Sequence, residues 1–564
     1  MITALALQAL VSCSPASQHP PQRSVAPLRL PLESTVISLD PAEAGDAVSR
    51  RVTAQIFDTL VDWAPDADDA LRLRPEILRA LPETSADGLR LTLTLRDGPD
   101  ARRFAADTCL GGQARAVRAS DVAASLRRID PARHPAHALL AGRIASIDGT
   151  DGILADDAAH TVTLHLTRPQ PELPAILASP MLAIVPPECV AFYDGRDAEH
   201  PPFARHPVGS GPYVLDHAQT ELPRTVALTR NLDQPPTPHP EPGLGCPELP
   251  GASPIVLSHF LDPEPALRSF QAGELAALAP GQAQFAEVVK DGQVIADAVP
   301  AGTRLLRFPV LATTLLVFNM RDPEIGRALD PTLDDRHRTL RQVVAAAFDT
   351  VRYQRVIRND AWATPRARVV PRGLGGAHDD EPLHPHAPPR TDRAAVLAML
   401  ATQPATGPLT LRYWTGPTEA ERQEAAILRD ALLPFAIDLR ITHRERYLDE
   451  VLGGRSDAQL YSLRFDADYL DPATFLAAFT CTAPDNFSGH CDPAYDAAYA
   501  AFAVTPPGLQ RDRLAADLDA LLGAAVPVRP IDQPEAWYLV QPWLQGVQRH
   551  PLAGLRLELL CPQR

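Results

Sequence analysis

The chain has 564 residues, 45% of them hydrophobic, and a formal net charge of −16. That length allows two or three packed lobes and excludes a small binding module. The acidic balance argues against a nucleic-acid partner, which would want a basic stripe, and disfavours a polyanionic ligand.

Residues 1–12 (MITALALQALVS) are mostly apolar and end at Cys13, and the polar, proline-containing SQHPPQRSVAP follows. The segment resembles a bacterial lipoprotein signal cleaved before Cys13, whose new N-terminal cysteine would be acylated and anchored through buried lipid methylene groups. An ordinary cysteine in a disordered tail is the alternative. No other stretch approaches the roughly 20 apolar residues of a spanning helix, so the body is expected outside the bilayer. With Cys13 acylated, Cys109, Cys189, Cys246, Cys481, Cys491 and Cys561 remain, an even number that permits disulfides in an oxidising compartment. Cys481 and Cys491 flank the polar loop TAPDNFSGH and are the expected pair, a local staple of about 2 to 3 kcal/mol. The alternative is that both stay reduced and packed.

From Leu89 to Leu95, LRLTLTL alternates leucine with polar residues, and the same period of two recurs at Val162, Leu164 and Leu166. Both predict half-buried strands. Between them DVAASLRRI sets Val122, Leu126 and Ile129 at helical spacing, with Ser120 as the expected N-cap. Strand, helix and strand predict a mixed α/β subdomain. Residues 233–254 (DQPPTPHPEPGLGCPELPGASP) are too rich in proline and glycine for a helix. Because strand-like TVALTR precedes them and IVLSHF follows, they read as a surface excursion from one continuing sheet rather than a linker between domains.

Further on, Leu340, Val343, Val344, Ala347, Phe348 and Val351 are predicted on one face of a helix in TLRQVVAAAFDTV. LTLRYW, the helix-like ERQEAAILRDALL, the alternating Ile437, Leu439 and Ile441, the short helix YLDEVL and AQLYSLRF then follow. That order predicts a parallel sheet with right-handed crossovers. Such a sheet binds ligands beyond the carboxyl ends of its strands. DADYLDP comes directly after AQLYSLRF, so placement alone makes Asp466, Asp468 and Asp471 candidates to face a cleft.

SLDP, QIFDTLVDW, LTLTLRDG, RASDVAASLRRI, RHPVGSGPYVL, LRSFQAGEL, LLVFNM, TLRQVVAAAFDTVRYQRVI, DADYLDPATFL, FSGHCDPAYDAAY, AAVPVRPI and WYLVQPWLQGV occur in this order. With these fragments the chain, from about Leu39 to its end, resembles the family 5 extracellular solute-binding proteins, the peptide-binding components of bacterial ABC importers. The resemblance implies an α/β, two-lobe fold of the type II periplasmic-binding-protein kind, with an additional α/β subdomain on the first lobe and a hinge between lobes. Lobe I would take residues 30–62, 200–310 and 541–564, the subdomain 63–199 and lobe II 311–540, with 1–29 as signal and tether. Hinge closure would trap a peptide and present the closed form to a membrane permease. A lipid-anchored extracytoplasmic monomer without cofactor or nucleic-acid partner is implied.

By the same resemblance Asp468 matches the aspartate that receives a peptide's free α-ammonium, a role for which a desolvated cation needs a fixed counter-charge. A turn or helix cap in DxxDP is the competing role. Phe465 stands where the family commonly has a cleft tryptophan, and reads as an aromatic wall or a core residue. Arg464 stands where glycine is frequent, filling part of the cleft or offering a cation to a carboxylate. Asp466 and Tyr469 complete the candidate set at this strand end. Ile531, Asp532 and Gln533 follow AAVPVRP where aromatics are common, so the pocket departs from a standard oligopeptide site. Gly209, Gly211, Pro212, Tyr213 and Asn319 match motifs near lobe junctions and read as structural. Asp40 and Pro41 mark the first strand's turn, near a segment expected to pair with an extended ligand through main-chain groups.

Two rival classes compete. His378, His384 and His386 lie on the proline-rich GGAHDDEPLHPHAPPR; a solvated loop is expected there rather than a metal site. No GxSxG, HExxH or GxxxxGK[ST] pattern occurs, so no enzyme is expected. A carrier of a nickel complex or oligosaccharide, or a sensor or chaperone of the same fold, is the alternative to a peptide carrier.

Overall fold

The structure is a computed structural model and describes residues 26–65, 71–147, 149–195, 201–234, 253–290, 292–375 and 409–563. Leu28–Leu32 buries alternate leucines and pairs in parallel with Ile255–His259. That strand lies antiparallel to Thr225–Arg230, which is paired in turn with Tyr213–Leu215. Thr225–Arg230 and Ile255–His259 are thus sheet neighbours, as an excursion between them requires. The helix Ala47–Ile56 packs on the same core. Asp46 caps it by accepting the Ser49 N–H at 2.9 Å, and Val48, Val52 and Ile56 are buried at helical spacing.

A second, antiparallel sheet orders Ile153–Asp156, Thr161–His165, Arg90–Thr94 and Glu83–Thr84. Its period of two turns Leu91, Leu93, Val162 and Leu164 inward against Val122 and Leu126 of the helix Ala119–Arg127. Ser120 does not cap this helix; it lies inside the first turn. Arg118 is the cap residue, its N–H donating to Asp121 at 2.8 Å, while Asp157 accepts from both the N–H and the hydroxyl of Ser120. A carboxylate from the neighbouring turn has taken the hydroxyl that capping would have used. Cys109 is bonded to Cys189, Cys481 to Cys491, and Cys561 is also in a disulfide.

The third sheet is the largest. Leu409–Thr415 runs parallel to Ile437–His443 on one side and to Leu460–Asp466 on the other, with the helices Glu419–Leu432 and Tyr447–Leu452 in the connections. The sheet then turns antiparallel: Ala312–Phe318 lies between Leu460–Asp466 and Val528–Val540. The last of these spans 13 residues and continues past Ala312–Phe318 to pair with Arg304–Pro309 and Ala277–Leu278. Two extended chain segments, 304–318 and Val528–Val540, therefore link the part of this sheet around Ala277–Leu278 to the part around Leu460–Asp466. The helix predicted to reach Val351 stops earlier, at Ala347. Asp349 caps a new helix, Thr350–Arg358, by accepting the Arg352 N–H, and Val351 is exposed on it. The apolar period continued through a capping aspartate that breaks the backbone.

The VGSGPY turn grips the end of helix Ala47–Ile56. A Cβ on Gly209 would stand 2.0 Å from the Ile56 carbonyl oxygen, and one on Gly211 2.5 Å from its carbonyl carbon. The Gly211 N–H donates to that oxygen at 2.8 Å, and the Tyr213 hydroxyl to the Leu557 carbonyl at 3.3 Å. Main-chain atoms cannot swing aside as a flexible side chain can. Gly211→Ala is therefore expected to lower stability by about 1–3 kcal/mol, measured as a reduced urea midpoint at unchanged slope.

Candidate ligand-binding site

The strand Leu460–Asp466 ends at the point where the sheet switches from parallel to antiparallel pairing. Connections leave the neighbouring strand Leu409–Thr415 towards one side and the strand Leu460–Asp466 lies on the other, the arrangement that leaves a crevice beyond the carboxyl ends. Pairing to Leu409–Thr415 is confined to Tyr413↔Leu460 and Trp414↔Tyr461. Residues 463–466 consequently pair with 312–315 on one edge and with no described strand on the other.

Each residue nominated from the sequence has a distinct place. Phe465 packs edge-on against Phe475 at 5.0 Å and Phe487 at 5.2 Å, in an aromatic cluster on the core side. Arg464, two residues before Asp466 and on the same face, donates to its carboxylate at 2.7 and 3.1 Å. Tyr469 is buried beside Tyr499, Arg143 and Glu172, and burial holds its hydroxyl well above the usual range. Asp471 caps the turn: its carboxylate accepts the Ala473 N–H and an Arg511 N–H, each at 2.8 Å. The capping role open to DxxDP thus falls to Asp471.

Asp468 differs from all of these. Its N–H donates to the Thr474 hydroxyl at 3.2 Å, but its carboxylate accepts no hydrogen bond among the described residues. The nearest cation is Arg50, with Nη1 3.9 Å from Oδ1. The Asp468 side chain keeps 49% of its surface exposed, yet its pKa is raised. Desolvation is the chief cause, Asp485 and Asp466 add to it and Arg50 opposes it. Half-exposure and desolvation coexist when protein crowds a group on most sides and solvent reaches it from one, as in a recess.

One cation, Arg50, stands across from Asp468. Arg50 projects from helix Ala47–Ile56 with its side chain only 14% exposed and its Nε buried without a hydrogen-bond partner among the described residues. Arg51, next to it, hydrogen-bonds Glu33 at 3.2 Å. Arg549 donates to the Pro309 carbonyl at 3.4 Å, and burial lowers its pKa, with Tyr538 opposing and Arg464 adding to the shift. Arg50 escaped sequence reasoning because one arginine in an amphipathic helix reads as a solvated face.

Other nominated residues serve the scaffold. Asp532 is fully buried and accepts from Arg358 Nε at 2.8 Å and Gln354 at 3.1 Å, while Gln533 bonds the Val310 carbonyl and the Arg372 N–H. Both brace the extended segments 304–318 and Val528–Val540. Asn319 donates to the Ala458 carbonyl at 3.0 Å. Asp40 accepts the Ala42 N–H and pairs with Arg128, tying its turn to the end of helix Ala119–Arg127. Among the described residues Asp40, Glu43 and His134 come together, but they suit a metal poorly. His134 Nδ1 accepts the Asp130 N–H, which puts the ring proton on Nε2, and both carboxylates are paired with arginines. Cys13, His378, His384 and His386 lie outside the described residues.

The chain belongs to the bacterial extracellular solute-binding proteins, family 5: the description of that family's middle region matches residues 72–487. The fold is the two-lobe type II fold of periplasmic binding proteins, and family and fold are those of substrate-binding proteins of ABC importers. HbpA2 of Haemophilus parasuis is similar with a TM-score of 0.75 and 18% identity, covering 95% of this chain and 100% of that one. DppA of Helicobacter pylori, an ABC transporter-associated periplasmic binding protein solved with the peptide STSA, gives 0.73 and 18%, covering 95% and 98%. AgaA of A. tumefaciens R10, solved with agropinic acid, gives 0.71 and 18%, covering 96% and 99%. No curated protein sequence matches the chain. The family is extracytoplasmic, and among the described residues no helix is long and apolar enough to cross a membrane.

The raised pKa has a signed consequence. The folded value of Asp468 lies above the 3.8 of an ordinary aspartate, so its stabilising contribution is present below 3.8 and is lost as pH rises through the folded value. Asp468→Asn is therefore expected to raise the Tm of the unliganded protein at neutral pH, with the gain vanishing on acidification. A lower Tm at neutral pH would mean that attraction to Arg50 outweighs desolvation.

Proposed function

We propose that the protein captures peptides with a free N-terminus outside the cytoplasm and delivers them to the permease of an ABC importer, Asp468 receiving the α-ammonium. The observation that carries this reading is the Asp468 carboxylate, which stands beyond a strand end and accepts no hydrogen bond among the described residues. An ammonium brought there gains charge-assisted bonds that the protein itself does not supply. The edge of residues 463–466, paired with no described strand, adds a place where an extended main chain can pair irrespective of its side chains. The peptide seen with DppA supports the same class of ligand. The reading includes lobe I at 30–62, 200–310 and 541–564, the subdomain at 63–199, lobe II at 311–540, and a monomer tethered by acylated Cys13.

A second reading takes the ligand to be a non-peptide acid. It is favoured by the arginines around the strand end and by the agropinic acid bound to AgaA. A thermal-shift screen of di- to pentapeptides, agropinic acid, nickel chelates and oligosaccharides separates the two, because a ligand at 100 times its Kd adds about 2.7 kcal/mol to stability. Peptides with free N-termini are expected to give the largest shift, and N-acetylation or Asp468→Ala to abolish most of it. A shift that survives both changes would remove the ammonium assignment, and a larger shift with the acid would favour the second reading.

A further inference from the structure

The two charges that face each other between the lobes are both under-partnered. Arg50 is largely buried, its Nε has no hydrogen-bond partner among the described residues, and the nearest carboxylate among them is 3.9 Å away, beyond hydrogen-bond reach. Arg51 and Arg511 also have an Nε without a hydrogen bond, but their terminal nitrogens are met at bonding distance, Arg51 by Glu33 and Arg511 by Asp471 and the Phe502 and Thr505 carbonyls. A desolvated guanidinium is costly unless its donors are met, and its planar fork matches a carboxylate through two parallel bonds. Asp468, set off at 3.9 Å, offers Arg50 charge without that geometry.

We propose that Arg50 reads the anionic group of the ligand, and that in the unliganded protein it stands against Asp468 in the place the ligand's cation takes. This rests on the assignment of Asp468 to a ligand ammonium. A zwitterion separates the pair and satisfies both members, its ammonium on Asp468 and its carboxylate on Arg50. Arg50 belongs to the helix packed on the first sheet and Asp468 to the strand end of the third, so such a ligand bridges the two lobes and favours the closed form by contacts absent without it. The recognised class is zwitterions whose anion turns towards lobe I, and a purely cationic ligand has to displace Arg50 with nothing to offer it. Arg464, the cation nominated from the sequence for a carboxylate, is already held by Asp466.

The test is calorimetry with trialanine, its C-terminal amide and its N-acetyl form, on the full chain and on Arg50→Gln, Arg50→Lys and Asp468→Asn, each checked for native unfolding behaviour. The unsubstituted protein is expected to bind the free acid about tenfold or more tighter than the amide, the loss expected for a charge-assisted contact. Arg50→Gln should bring acid and amide within about twofold while N-acetylation still weakens binding, and Arg50→Lys should fall between. Undiminished preference for the acid in Arg50→Gln overturns the role of Arg50 alone, since the loss on N-acetylation still stands. Indifference of the unsubstituted protein to N-acetylation, or binding of none of the three probes, overturns the ammonium assignment and this proposal together.

Discussion

A charge taken partly out of water must find a counter-charge at bonding distance or cost the fold stability. Several charged groups of this protein meet that demand: Arg102 with Asp58 and Glu76, Arg556 with Asp62, Arg358 with Asp532, Arg511 with Asp471. Arg50 and Asp468 meet it only in part, since each finds the other at 3.9 Å. Under the proposed function this deficit is kept because it is satisfied by the ligand. With the lobe bounds proposed above, each lobe owns one of the charges, and the same deficit gives the two lobes a reason to close on a guest.

The scaffold makes the deficit durable. Below the strand that leads to Asp468, the Tyr413 hydroxyl donates to buried Glu424 at 2.9 Å and Ser462 joins the same carboxylate. Burial raises the pKa of Glu424. Opposite, the helix that carries Arg50 is fixed at its first turn by Asp46 and at its end by the glycines of VGSGPY. The segments 304–318 and Val528–Val540 run between these two supports.

Much of this was legible because it is local. The parallel unit followed from alternating leucines and isoleucines separated by amphipathic helices, and the aspartates stood visibly past its last strand. Local patterns also misled: apolar spacing ran through the Asp349 cap, and Ser120 looked like an N-cap until Asp157 took its hydroxyl. What depends on distant residues left no trace. Cys109 and Cys189 are 80 residues apart, whereas Cys481 and Cys491 close a loop of 10. Arg50 and Asp468 face each other only after several hundred residues have folded between them. The sequence pattern around Arg50 is that of any exposed helix, and its burial comes from packing.

The most direct measurement is a crystal structure of the protein bound to a peptide with a free N-terminus. The account predicts the peptide nitrogen about 2.8 Å from an Asp468 carboxylate oxygen, with Arg50 drawn away from Asp468. A peptide nitrogen elsewhere, with Arg50 and Asp468 still facing each other at about 3.9 Å, would contradict it.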